Sequence, residues 1–182
     1  MTKKPLSMEI EIPGNVDASI EQGVLKVKGP MGQAIRNLSH KKVSMVKEDK
    51  IIRLNAEKAT KREKAVMGSL RAHIKNLMKG VTQGHLYKLR ICSGHFPMTV
   101  RVENKEISIK NLLGEKIARK SRIIEGVDVK IEGDEIIVTG TDKSRVSQQA
   151  AQIEELSKRP GFDRRIFQDG IYITNKDGKE IR

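Results

Sequence analysis

Residues 23–32 read GVLKVKGPMG, and residues 105–114 read KEISIKNLLG. Each is a short alternating strand followed by a turn. Leu25, Val27, Lys28 and Gly32 line up with Ile107, Ile109, Lys110 and Gly114. Farther along, Asp49-Lys50-Ile51-Ile52 matches Asp134-Glu135-Ile136-Ile137. Both matches open strands, come in the same order and lie at similar offsets. That pattern reads as a duplicated domain.

Working outward, each half reads as a block of short strands and then one helix. The first half offers strands at Met8–Ile12, Ala18–Ile20, Val24–Lys28, Ile35–Leu38, Val43–Lys47 and Ile51–Asn55, with a tight turn at Gln22-Gly23. Its helix is expected from about Lys58 to Lys79, stopped by Gly80. Val66, Leu70, Ile74, Leu77 and Met78 form one apolar stripe. The second half offers strands at Leu86–Ile91, Met98–Glu103, Glu106–Lys110, Arg122–Glu125, Val127–Glu132 and Glu135–Thr139. A helix from Lys143 to Ser157 follows, with Thr141 or Asp142 as N-cap and Pro160-Gly161 ending it. Strand blocks covered by single helices mean α+β with mainly antiparallel pairing. The expected domains are residues 1–81 and 82–182. In the tail, Asp169-Gly170 reads as a hairpin turn, and Asn175 to Arg182 as a polar, mobile end.

Charge narrows the function. The chain of 182 residues has 36 Lys plus Arg against 23 Asp plus Glu, a formal net charge of +13. A protein this basic repels itself unless a polyanion is near. The signs are segregated. Residues 58–79 carry seven bases against one acid, and residues 88–122 carry nine against three. Residues 123–157 reverse this, with three bases against eight acids, and residues 158–182 return to seven against four. A merely solvated surface would mix its signs. Nucleic acid fits better than a membrane, because no lipid signal, spanning run or bulky amphipathic helix is visible. Aromatics are only 3% of the chain, without Trp, and form no ladder in the sequence for stacking single-stranded bases. Folded RNA, read through shape, phosphates and 2′-hydroxyls, is the expected target.

Catalytic chemistry finds no support. Gly114-Glu115-Lys116-Ile117-Ala118-Arg119-Lys120-Ser121 resembles a P-loop, but Arg119 stands where Gly must precede Lys-Ser. Cys92 and His95 are neighbours in sequence without a supporting catalytic pattern, and read as a small apolar residue and a solvent- or RNA-facing His. One Cys and four dispersed His complete no zinc site, so no cofactor or metal is expected. A lone Cys fits a reducing, cytoplasmic setting.

The tail Arg165-Ile166-Phe167-Gln168-Asp169-Gly170-Ile171-Tyr172-Ile173 resembles the signature of the archaeal–eukaryotic branch of large-subunit ribosomal protein six, whose eukaryotic member is traditionally called nine. Ile12-Pro13, Leu25-Lys26-Val27-Lys28-Gly29-Pro30-Met31-Gly32 and Met67-Gly68-Ser69-Leu70 strengthen the likeness, which covers nearly the whole chain. The resemblance implies two similar α+β domains arising by duplication, the second binding ribosomal RNA near the sarcin–ricin region where translation GTPases dock. The partners implied are large-subunit rRNA and neighbouring ribosomal proteins, with any effect on the GTPases indirect or through a modest protein contact. The contact residues carried over are Lys88, Arg90, His95, Lys120 and Arg122, joined by Lys158, Arg159, Arg164 and Arg165 of the tail. The acidic stretch 125–135 should face away from phosphate. The alternative is a free RNA chaperone or translation regulator.

Overall fold

The computed structural model describes residues 4–163 and 165–181, apart from the side chains of Lys4 and Lys58. The chain divides into two compact units between Gly84 and His85.

The first unit runs β1 (Lys4–Glu11), β2 (Asp17–Glu21), β3 (Val24–Gly29), β4 (Gly32–Asn37), β5 (Ser44–Glu48), β6 (Ile51–Ala59) and α1 (Lys61–Thr82). Its two antiparallel sheets have the orders β1-β6-β5 and β2-β3-β4. In the second unit, β7 (His85–Cys92), β8 (Thr99–Glu103), β9 (Glu106–Lys110), β10 (Arg119–Arg122), β11 (Val127–Glu132), β12 (Glu135–Gly140) and α2 (Lys143–Leu156) repeat that order. The sheets repeat as well, as β11-β12-β7 and β10-β9-β8. The duplicated α+β architecture expected from the sequence is therefore present strand for strand.

The two matches that suggested it fare differently. Leu25 and Val27 are buried in the first core and Ile107 and Ile109 in the second, so that alignment holds face for face. In the other match, Ile52 and Ile136 are the fully buried residues, while Ile51 and Ile137 are only half-buried. The sequence match is thus one residue out of register. In a strand such a slip exchanges the two faces.

Both helices lie over apolar faces of both sheets of their own unit, closing one core each. Helix α1 starts at Thr60, whose hydroxyl accepts from the Arg62 N–H at 3.3 Å, while Glu63 accepts from the Thr60 N–H at 3.0 Å. This capping box satisfies donors that have no partner within the helix. It also holds the Glu63 carboxyl near pKa 2, mainly through the Thr60 hydroxyl and backbone N–H. Gly80 does not stop the helix. The last turn continues to Thr82 because the Val81 carbonyl accepts from the Met31 N–H at 2.9 Å. Gly29 permits that approach: a Cβ there would stand 2.7 Å from the Val81 oxygen. The buried stripe of α1 centres on Met67, Ile74, Leu77, Met78 and Val81, while Val66 and Leu70 are only half-buried at its edge.

The second unit departs from the expectation in two places. Strand β10 spans Arg119–Arg122 rather than Arg122–Glu125. The Ile123 N–H donates to the Lys105 carbonyl and the Ile124 N–H to the buried Gln149 Oε1, each at 2.8 Å, so these residues leave the ladder. The tail is also more ordered than its composition suggests. Asp169-Gly170 makes no hairpin; Gly170 instead begins β13 (Gly170–Lys176), which pairs with the free edge of β7. Full burial of Ile171 on this strand contributes about 1.5–3 kcal/mol. The hairpin turn comes at Asp177-Gly178, leading to β14 (Lys179–Glu180). Asp177 there lies 3.1 Å from the buried His85 and 3.4 Å from Lys143 at the start of α2.

Candidate nucleic-acid interface

The exposed face of the β8-β9-β10 sheet is set by its register. Arg101, Ser108 and Lys120 stand opposite one another across three strands, and Lys110 lies in the next row opposite Thr99. Side chains opposed across strands share a face. The inward residues Ile107 and Ile109 fill the core, so Arg101, Lys110 and Lys120 point to solvent. They line a concavity of about 260 Å³ with the small Ser108, while Glu103, Asn104 and Glu106 supply the rest of its wall. Among the described residues, none of the three cations meets a carboxylate at ion-pair distance.

The duplicated first unit gives an internal comparison. Its corresponding row is Ser19, Lys26 and Ile35. There a single cation stands in the middle, held 2.8 Å from Glu21, and an exposed isoleucine replaces the second cation. Two domains with the same backbone therefore present different chemistry on the same face. Free cations around a small hydroxyl residue suit phosphate oxygens, with Arg offering two donors at once.

The sequence-predicted residues fall into three places. Lys120 lies in the cationic row. Arg122 lies in the row beyond, 91% exposed and 3.8 Å from Glu106. Lys88 and Arg90 lie on the outer face of the other sheet. Lys88 is 3.1 Å from Glu135, and Arg90 stands directly opposite Glu135. They share that face with the acidic stretch, which was expected to face away from phosphate. The third place is a corner made by residues 93–98, 111–118, 157–163 and 165–169, which holds His95, Lys158 and Arg159. Arg165 lies on the same tail segment and makes a forked pair with Asp163 at 2.8–3.2 Å. Arg164 lies outside the described residues.

Asp169 organises this corner. Its carboxylate accepts from the backbone N–H groups of Gly94 (2.6 Å) and His95 (3.0 Å) and from the His95 Nδ1 (2.5 Å). Burial opposes its ionisation, but these donors outweigh burial and hold its pKa below the usual carboxylate value. Arg119 braces the opposite side. It grips Glu115 with two donors at 2.6 and 2.8 Å and donates to the carbonyls of Leu156 and Lys158, each at 2.8 Å. Those carbonyls lie at the end of α2, where backbone acceptors run out of helical partners. Of the nine basic residues in 88–122, Arg119 is thus structural. The sequence reading did not select Arg101 and Lys110. Their role depends on the register of β10, which places Lys120 in line with Arg101.

The model of the family "Ribosomal protein L6" matches the chain twice, over residues 12–84 and 96–170, once in each unit. Among curated relatives, the large ribosomal subunit protein uL6 of Sulfurisphaera tokodaii is 46% identical over 170 residues, covering 93% of this chain and 91% of the relative. The uL6 protein of Saccharolobus solfataricus is 45% identical over 174 residues, with 94% and 96% covered. That of Methanococcus vannielii is 43% identical over 173 residues, with 95% of each covered. A duplicated α+β chain, matched in both halves and along almost its whole length, belongs to the ribosomal protein L6 family.

Proposed function

We propose that this protein is a structural constituent of the large ribosomal subunit, and that it binds large-subunit rRNA chiefly through its second domain. The observation that carries the RNA assignment is the group of unpaired cations Arg101, Lys110 and Lys120 on one sheet face, where the first domain has Ser19, Lys28 and Ile35. The relatives' names support the large-subunit assignment. The contacts are scaffolding ones: cations on a rigid sheet offset phosphate repulsion where RNA helices crowd. Lys120 and Arg122 act on that sheet, while Lys158, Arg159, Arg164 and Arg165 extend the contact along the tail. Lys88 and Arg90 contribute less, because Glu135 shares their face. The site lies near the sarcin–ricin region, so that any influence on translation GTPases is indirect. Neighbouring ribosomal proteins complete its surroundings.

The test is sedimentation of tagged protein from a lysate through a sucrose gradient after a high-salt wash. Co-migration with the large subunit is the expected result. Protein left at the top would overturn the reading in favour of a free RNA chaperone or translation regulator.

A further inference from the structure

Resting on the rRNA-binding reading, we infer that the corner of the second domain built by His95, Phe96, Phe162 and Phe167 is a stacking platform for an unstacked RNA base. The chain has only three Phe and two Tyr, and all three Phe belong to this corner. His95 packs on Phe167 with ring centroids 5.1 Å apart and planes tilted by 34°. Phe167 meets Phe162 edge-to-face at 5.0 Å, and the Arg159 guanidinium lies 4.5 Å over the Phe162 ring. The result is a chain of contacts from Arg159 through Phe162 and Phe167 of the tail to His95 of a distant loop. A sequence without an aromatic ladder thus folds into a small aromatic cluster.

The cluster is not hidden in a core. The His95 side chain is 44% exposed, Phe162 is 37% exposed, and Phe96, beside Gly114, is 49% exposed. Rings left open together mark a contact surface. Asp169 fixes the outer ring. The His95 Nδ1 donates to its carboxylate, which orients the imidazole. Of the other acids near the corner, Glu115 is paired with Arg119 and Arg159 and Asp163 with Arg165, while Glu154 lines the same wall. Exposed Lys116 and Lys158 leave the rim positive. Flat apolar rings in a cationic rim match a nucleobase with its phosphates. An acidic or neutral protein loop would gain less from the rings.

The experiment is equilibrium binding of the full chain to large-subunit rRNA across a salt series, with the variants His95→Ala, His95→Phe and Phe96→Ala, each checked by thermal melting. Two of the three bonds to Asp169 come from the main chain and survive these substitutions. His95→Ala and Phe96→Ala should each weaken binding about 5- to 150-fold, as expected for a lost base–ring stack, with the salt slope unchanged. His95→Phe should restore much of the loss. Wild-type affinity in both alanine variants would overturn the inference while leaving rRNA binding intact. A lower salt slope in His95→Ala without rescue by Phe would also overturn it, making His95 a phosphate contact. Failure of the wild-type chain to bind rRNA would instead remove the functional reading beneath it.

Discussion

Replacing Asp169 by Ala removes one carboxylate and three hydrogen bonds at once, those from the Gly94 N–H, the His95 N–H and the His95 Nδ1. Hydrogen bonds to charged groups contribute about 1.5–3 kcal/mol each, but bonds sharing one acceptor do not add, so the expected cost is on the order of 3 kcal/mol. For a unit of this size, 1 kcal/mol corresponds to roughly 4–8 °C, so its melting point should fall by roughly 12–24 °C. Calorimetry of the full chain reads this as a shift of one transition, while the first unit keeps its own. The pH dependence follows from the sign of the shift. The folded-state pKa of Asp169 is lowered, so its stabilisation is complete above about pH 4, the ordinary carboxylate value, and is lost as pH falls below that. The Ala variant should lack this acid-sensitive component. Asp169→Asn keeps one acceptor and should fall between the two. A melting point within about 3 °C of wild type, with amide-exchange protection of Gly94 and His95 retained, would refute the claim that Asp169 holds this corner together.

Arg119→Ala should destabilise the second unit by about 2–3 kcal/mol in denaturant titrations, because the carbonyls of Leu156 and Lys158 and the Glu115 carboxylate all lose their donor. Arg119→Lys should recover little, since a point charge cannot fork. Thr60→Ala should cost about 1 kcal/mol by removing the N-cap of α1, seen as earlier thermal unfolding of the first unit. With its pKa lowered to about 2, Glu63 contributes stability that is complete above about pH 4.5, the ordinary carboxylate value, and is lost as pH falls from there to about 2. In Thr60→Ala this acid-sensitive component should shrink, because the hydroxyl that lowers the Glu63 pKa most is gone, as acid titration of helicity would reveal. Gly29→Ala forces a Cβ to within 2.7 Å of the Val81 oxygen and should cost about 1–3 kcal/mol in melting experiments.

The duplication was legible because β3 and β9 carry their buried residues at the same spacing, and period-two alternation survives divergence. The capping of α2 by Asp142 was legible for the same local reason: its side chain accepts from the Ser144 N–H at 2.8 Å. What escaped the sequence was decided by distant partners. Gln149, fully buried on α2, takes the Ile124 N–H and so ends β10 early. The pairing of β10 with β9 sets Lys120 in the same cross-strand row as Arg101, and no local pattern contains it. Asp169-Gly170 has the composition of a hairpin turn, yet Asp169 serves a loop 74 and 75 residues earlier in the chain. The Phe residues looked scattered for the same reason. Charge blocks pointed to a polyanionic partner, a reading in keeping with membership of a ribosomal protein family. They could not separate Arg119, spent on helix carbonyls, from Lys120 beside it, which is free for phosphate.

On the proposed reading, the outer face of the β8-β9-β10 sheet meets RNA phosphate and its duplicate in the first domain does not. The direct measurement is the salt dependence of rRNA binding by the full chain carrying Arg101→Ala, Lys110→Ala and Lys120→Ala together, beside a control carrying Lys26→Ala and Lys28→Ala. Each lost phosphate contact lowers the logarithmic salt slope by about 0.7–0.9, so the triple variant should lose roughly two to three units of slope and the control almost none. An unchanged slope in the triple variant, or an equal loss in the control, would contradict the account.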